Sequence, residues 1–345
     1  NFKYRQLKTL SMNSLGSLFV NYEKEVVDEG QFLEFNFNIY SKIIDVFVPD
    51  LRLGPNSVIK GRVDSDEDIF QLTVKSPSVE AYEFVIDDIN LQVDNKNPLF
   101  NTLLTINEID SEYYNLSEIN LVDVVLNDTL YIRGDMIGGK EKTEHYNFSV
   151  YHTINEKNQA VVGMKTSELF FKGKSWLINP ENNNQNKVVY DKEINTYAID
   201  NFNLINENQQ IQLAGLINSD EDKNIDLRLN NVNLFDITPS VDSVRVEGKV
   251  NGHVNLRTIA KKTLPFADLT INYFSINGDY YGDLNMRGGA DESLKSYTFG
   301  ANLLNAGLQT LRAHGAIDFS SEDPSLLASV ELKKFKINSF SPLGK

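Results

Sequence analysis

The chain has 345 residues, 41% of them hydrophobic, with 20 Phe, 15 Tyr and a formal net charge of −15. That apolar content suits a buried core and excludes a disordered chain, while the acidic balance, with only scattered basic pairs such as Lys261-Lys262 and Lys333-Lys334, disfavours nucleic acid as a partner. Cysteine is absent, which excludes disulfides and thiolate metal sites, and no run of about 18 apolar residues offers a transmembrane helix.

The first residues, NFKYRQLKTL, lack the charged start and apolar centre of a signal peptide and read as the interior of a longer protein. Period-two alternation starts at FLEFNFNIY (Phe32 to Tyr40) and returns at IFQLTVK (Ile69 to Lys75) and FVIDDINLQVD (Phe84 to Asp94). It continues at YNFSVYHTI (Tyr146 to Ile154), IDLRLNNVNL (Ile225 to Leu234) and LLASVELKKFKI (Leu326 to Ile337). Such alternation marks strands with one wet and one dry face. Amphipathic helices are nearly absent. PLFNTLLTI (Pro98 to Ile106) carries Pro where a short helix could start, and TIAKKTLPFADL (Thr258 to Leu269) reads as an irregular connection. The class is all-β.

GRVDSDEDIFQLTV (Gly61 to Val74) and GLINSDEDKNIDLRL (Gly215 to Leu229) share a glycine, an acidic turn and a second alternating strand, and HGAIDFSSEDPSLLASV (His314 to Val330) is a looser copy. Repeated hairpins without a helical layer predict an elongated antiparallel sheet that grows by addition. No clear internal boundary interrupts the pattern, and residues 1–345 read as one segment. Its apolar face must be hidden by barrel closure, by a second sheet, or by curling inward. VRVEGKVNGHVNL (Val244 to Leu256) alternates over thirteen residues, about 43 Å at ~3.3 Å per residue. Gly248 and Gly252 fall on its apolar side, where they mark either curvature or clearance for a ligand.

Chemical motifs are weak. Asp64-Ser65-Asp66-Glu67-Asp68 opens like a calcium loop but has Ile69 and Lys75 where glycine and glutamate are required, so a solvated turn is expected. His145, His152, His253 and His314 show no ligand spacing; His145 and His152 fall on opposite faces by parity, and His253 falls on a polar one. No nucleophile elbow, phosphate-binding loop or dinucleotide fingerprint is present, so neither catalysis nor a cofactor is expected. Arg133-Gly134-Asp135 coincides with the glycine of the hairpin repeat, and the sequons at Asn115, Asn127 and Asn147 fit an Asn-rich chain. Trp176, the only tryptophan, is expected to pack.

Three stretches carry a family resemblance: DNKNPLFNTLLTINEIDSEYYNL with NDTLYIRGD (Asp94 to Leu116, Asn127 to Asp135), YNFSVYHTINEKNQAVVGMKTSELFFKGKSW (Tyr146 to Trp176), and NVNLFDITPSVDSVRVEGKVNGHVNL with GDLNMRG (Asn231 to Leu256, Gly282 to Gly288). From about Phe32 onward the chain resembles the central region of TamB proteins of the Bacteroidota type, translocation and assembly module subunits of the AsmA-like superfamily. The resemblance implies a sheet curled into a taco- or gutter-like groove with an apolar interior and a polar exterior. It implies a periplasmic setting, an inner-membrane anchor helix outside this segment, and an outer-membrane barrel partner of the Omp85 class. The implied roles are phospholipid transport between the membranes and assistance to outer-membrane protein assembly. On that basis Phe35, Phe37, Leu72, Val74, Ile86, Phe148, Val150, Leu227, Leu229, Val246 and Val250 are expected to line a path for acyl chains, with Gly248 and Gly252 shaping it. The rival readings are an outer-membrane β-barrel and an extracellular β-solenoid, either an adhesin or a polysaccharide-binding protein or lyase.

Overall fold

The computed structural model describes residues 3–39, 51–111, 114–219, 222–238, 245–259, 262–290, 295–318, 320 and 323–334. Tyr40, Val244, Lys261 and the Phe335 to Ile337 end of the last alternating stretch lie outside them. The fold is all-β, its ladders are antiparallel, and it divides into two compact units, Asn1–Asn184 and Gln185–Lys345.

The first unit opens with α1 (Leu7–Gly16), followed by β1 (Phe32–Ile39), β2 (Leu51–Leu53), β3 (Ser57–Asp64), β4 (Ile69–Ala81), β5 (Phe84–Asp94) and β6 (Thr102–Asp110). Then come β7 (Leu116–Leu126), β8 (Thr129–Gly138), β9 (Glu144–Ile154), β10 (Ala160–Met164), β11 (Ser167–Phe171) and β12 (Lys174–Ile178). β1 pairs with β3, and each strand from β3 to β9 pairs with the next. β2 adds to β4, β10 and β11 both pair with β9, and β12 pairs with β11.

The second unit is a plain meander in which each strand pairs with the next. It runs through β13 (Lys187–Asp191), β14 (Thr196–Asn206), β15 (Gln209–Ser219), β16 (Asp222–Asn233), the short α2 (Leu234–Ile237) and β17 (Val246–Ile259). β18 (Lys262–Ile276), β19 (Asp279–Ala290), β20 (Ser296–Asn305), β21 (Leu308–Asp318) and β22 (Ser325–Leu332) complete it.

The turns follow from their residues. Asn127-Asp128 and Asn277-Gly278 have positive φ at both positions, the mirror-image geometry whose twist matches a tight hairpin. The acidic loop after β3 is a side-chain-stapled turn, in which Asp64 Oδ1 accepts the Asp66 N–H at 3.1 Å and the Glu67 N–H at 3.2 Å.

Two expectations need correction. The stretch from Pro98 forms no helix. Thr102–Asp110 is β6, because Leu104 and Ile106 find apolar partners on both sides, Leu91 and Ile89 in β5 and Leu121 and Ile119 in β7. The stretch from Thr258 is no irregular connection either. It ends β17 and starts β18, and Pro265 is accommodated opposite Leu256. α1 was not legible as a helix because half of its buried face is polar, Asn13 and Ser14 beside Leu10.

A crease crosses the first sheet. Apolar residues occupy even positions in β4 up to Val74 and an odd one at Val79; β5 to β7 change phase likewise. The phase changes fall at Pro77, Asp88, Asn107 and Glu118, which the flanking pairs place at one level across four neighbouring strands. Asp88 and Glu118 have φ of +50° and +52°. At that level the strand facing β4 breaks between β2 and β3, and the β7–β8 register shifts between Ser117 and Asn120. Irregularities of this kind bend strands and raise their twist.

Candidate functional site

Cross-strand register gathers residues far apart in sequence. In the first unit one row runs Phe37, Ile59, Val74, Leu91, Leu104, Leu121, Gly134, Phe148 across eight strands, all apolar or glycine. At ~4.8 Å per strand the row is about 34 Å long. Phe35, Leu72 and Val150 share its parity in the adjoining row, alongside Val93 and Ile132. On the other parity Lys75, Asn90, Thr105, Asn120, Asp135 and Asn147 form a polar row.

The second unit repeats the arrangement over nine strands. One apolar row is Leu204, Ile211, Leu229, Gly252, Leu269, Met286, Ala301, Ala313, Val330. A second contains Leu213, Leu227, Val254, Ala267 and Phe299. Between them, on the opposite face, lie Gln212, Arg228, His253, Asp268, Arg287 and His314.

No apolar side chain in the Phe37 row or in the Leu204 row is fully buried; most are half-buried, and Phe37 is 58% exposed. A closed core would bury them. Each sheet therefore presents a continuous apolar lane that is only partly covered. Ile86 belongs beyond the crease, where it is half-buried and pairs with Val79 and Ile109. Val246 is half-buried opposite Ile276, whereas Val250 is 2% exposed and lies between Val232 and Ile271, both buried. Sequence periodicity ranks Val250 with Leu229; burial separates them.

Three of the repeated glycines have a role that periodicity did not reveal. A Cβ at Gly61 would meet the Phe35 ring at 2.6 Å, one at Gly134 the Phe148 ring at 2.3 Å, and one at Gly315 the Phe299 ring at 2.5 Å. In each case an aromatic ring lies over a cross-strand glycine, which supplies the packing the glycine lacks. The rings lie down along the lane. The signal in sequence is a strand glycine whose neighbouring strand carries a Phe in register.

Gly248 and Gly252 are required by the backbone. Their φ values are +148° and +130°, and a Cβ at Gly252 would sit 2.0 Å from the Asp268 carbonyl oxygen. Gly248 also occupies the register shift between Glu247 and Lys249. Both mark bent backbone in close approach to β18, which favours curvature over ligand clearance.

Polar groups bound the first lane. Along one flank, at the start of β9, Tyr146 donates to Glu144 Oε2 at 2.9 Å, Tyr114 donates to the same carboxylate, and the two hydroxyls lie 2.7 Å apart. Burial, followed by these bonds, pushes the Tyr114 hydroxyl far above the usual phenol range. On the other flank, near the end of β9, His152, on the parity of Phe148 and Val150, meets Phe19 edge-on at 5.0 Å, and burial lowers its pKa. His145 takes the opposite parity, against Phe170. Trp176 is 1% exposed and packs opposite Leu169.

Asp123 is buried on the lane parity opposite Ile132, and the Thr102 N–H donates to its Oδ1 at 3.0 Å. Burial outweighs the Thr102 bonds and raises its pKa. A folded pKa above the unfolded one gives stability that is fully present below the unfolded value and lost as pH rises through the folded value. Asp123→Asn retains an acceptor for Thr102, so the variant is expected to be more stable than the parent at about pH 7. That advantage should shrink towards about pH 3.5. Urea midpoints at the two pH values check this; a variant less stable at neutral pH would contradict it.

No protein-family model matches the chain, and no curated protein or solved structure is significantly similar to it.

Proposed function

We propose that the apolar lanes hold phospholipid acyl chains, and that the protein is a non-enzymatic cell-envelope component moving lipid between membranes or assisting outer-membrane assembly. One observation carries this reading: the lanes are continuous over eight and nine strands, yet their side chains stay half-exposed. Such a surface is unfavourable in water, and an acyl chain laid on it gains ~0.8 kcal/mol per buried CH₂. The contact is non-directional, so a chain can slide without a residue-specific site. Rings folded onto Gly61 and Gly134 leave fewer projections in its way.

The opposite face of the second unit, with Arg228, His253, Asp268 and Arg287 in one row, suits water. That favours a periplasmic path over a membrane barrel, whose outer face would be apolar. The periplasmic setting, the inner-membrane anchor and the Omp85-class partner rest on the sequence resemblance to TamB proteins. The test is parity-specific photo-crosslinking: probes on lane positions should capture phospholipid, and probes one residue away should not.

A further inference from the structure

One end of the first sheet is crossed by a segment that belongs to no ladder. The β3–β4, β5–β6, β7–β8 and β9–β10 connections all lie at that end, as the antiparallel order requires. α1 and the residues after it run across them. Asn95, beside the β5–β6 connection, donates through Nδ2 to the Ser14 carbonyl at 2.8 Å. Farther along, the Val20 N–H donates to Asp128 and Asn21 Nδ2 donates to the Ile154 carbonyl at 3.1 Å. Between these anchors Phe19 sits on His152, whose parity is that of the lane. Leu10 is 1% exposed, so the helix is seated.

The attachment is thin. It consists of side-chain bonds and a few apolar contacts, while Met12 and Val20 face solvent. The return of the chain is latched to the helix at one residue: Asn13 Nδ2 donates to the Glu25 carbonyl at 2.8 Å, and Asn13 Oδ1 accepts the Glu25 N–H at 3.0 Å. Elements with few ladder bonds and exposed edges open at lower free energy than the strands they cover.

We propose that residues 7–22 are a displaceable side-stop: a strap that closes the strand-tip flank of the first lane and swings aside when an apolar chain spreads across the rows towards it. The inference rests on the apolar-cargo reading. It adds that lane width is set by this segment, with Phe19, seated on His152, as the part that blocks the flank and Asn13 as the latch.

The test compares the 345-residue chain with an Asn13→Ala/Phe19→Ala variant, titrating each with a fluorescent long-chain fatty acid and reading amide hydrogen exchange. Saturating fatty acid should speed exchange at residues 7–22 of the parent while β4 to β9 stay protected. The variant should bind about tenfold more tightly, because less of it is held in the closed form. Should the double variant unfold, Phe19→Ala alone, which leaves Leu10 and the Asn13 latch in place, gives the same comparison. Binding that leaves exchange at 7–22 unchanged, or equal affinity in parent and variant, overturns the side-stop. No binding by either protein overturns the apolar-cargo reading, and the side-stop with it.

Discussion

Replacing Val250 with aspartate is expected to destabilise the second unit by about 4 kcal/mol or more. Val250 is 2% exposed and pairs with Val232 and Ile271, which are as deeply buried, so the carboxylate would be left without water or a partner. The damage should appear as faster amide exchange in β16, β17 and β18. Leu229→Asp, on the neighbouring strand opposite Gly252 and in the half-buried row, should cost distinctly less because its carboxylate stays in reach of water. Equal losses for the two variants would contradict the division between buried core and partly covered lane. The sequence alone suggests that Val250→Asp acts on cargo; the burial of Val250 assigns its main effect to folding.

Gly252→Ala carries the second large effect, about 3 kcal/mol from backbone strain and a steric clash together. Its φ of +130° is a region that L side chains rarely occupy, and its missing Cβ faces the Asp268 carbonyl at 2.0 Å. β17 would have to retreat from β18 in the middle of its longest ladder, weakening the pairs around Leu269. The measurement is the urea midpoint followed by far-ultraviolet circular dichroism, with Gly300→Ala as control: a Cβ there meets only the Ala313 carbonyl at 3.9 Å. Matching midpoints for the two variants would show that Gly252 is not required by the backbone.

Most strands were legible because period-two alternation is local, and β5 coincides with the FVIDDINLQVD stretch. What stayed illegible depends on partners elsewhere in the chain. Pro98 to Ile106 reads as the start of a helix and the stretch around Pro265 as an irregular connection until β5, β7 and β17 supply ladders to Thr102–Asp110 and to β18 that override local preference. α1 hides behind a polar buried face, Asn13 and Ser14, which a search for apolar stripes passes over.

The candidate residues were legible in kind and not in arrangement. Phe37, Val74 and Phe148 are each apolar positions of alternating strands, but only register puts them in one row. Ile86 illustrates the limit: its parity is opposite to that of Leu91 because the crease at Asp88 lies between them. The glycines of the hairpin repeat were visible as a pattern. Their service as seats for Phe35, Phe148 and Phe299 needs the neighbouring strand.

The most direct test of the lipid lane uses benzophenone side chains at Leu229 and Leu269, paired across β16 to β18 through Gly252, and at their neighbours Arg228 and Asp268 on the other face. Each protein is irradiated with phospholipid vesicles and analysed by intact mass. Phospholipid adducts at Leu229 and Leu269, with none at Arg228 and Asp268, are the predicted result. Equal labelling at both parities, or no labelling at either, would contradict the account.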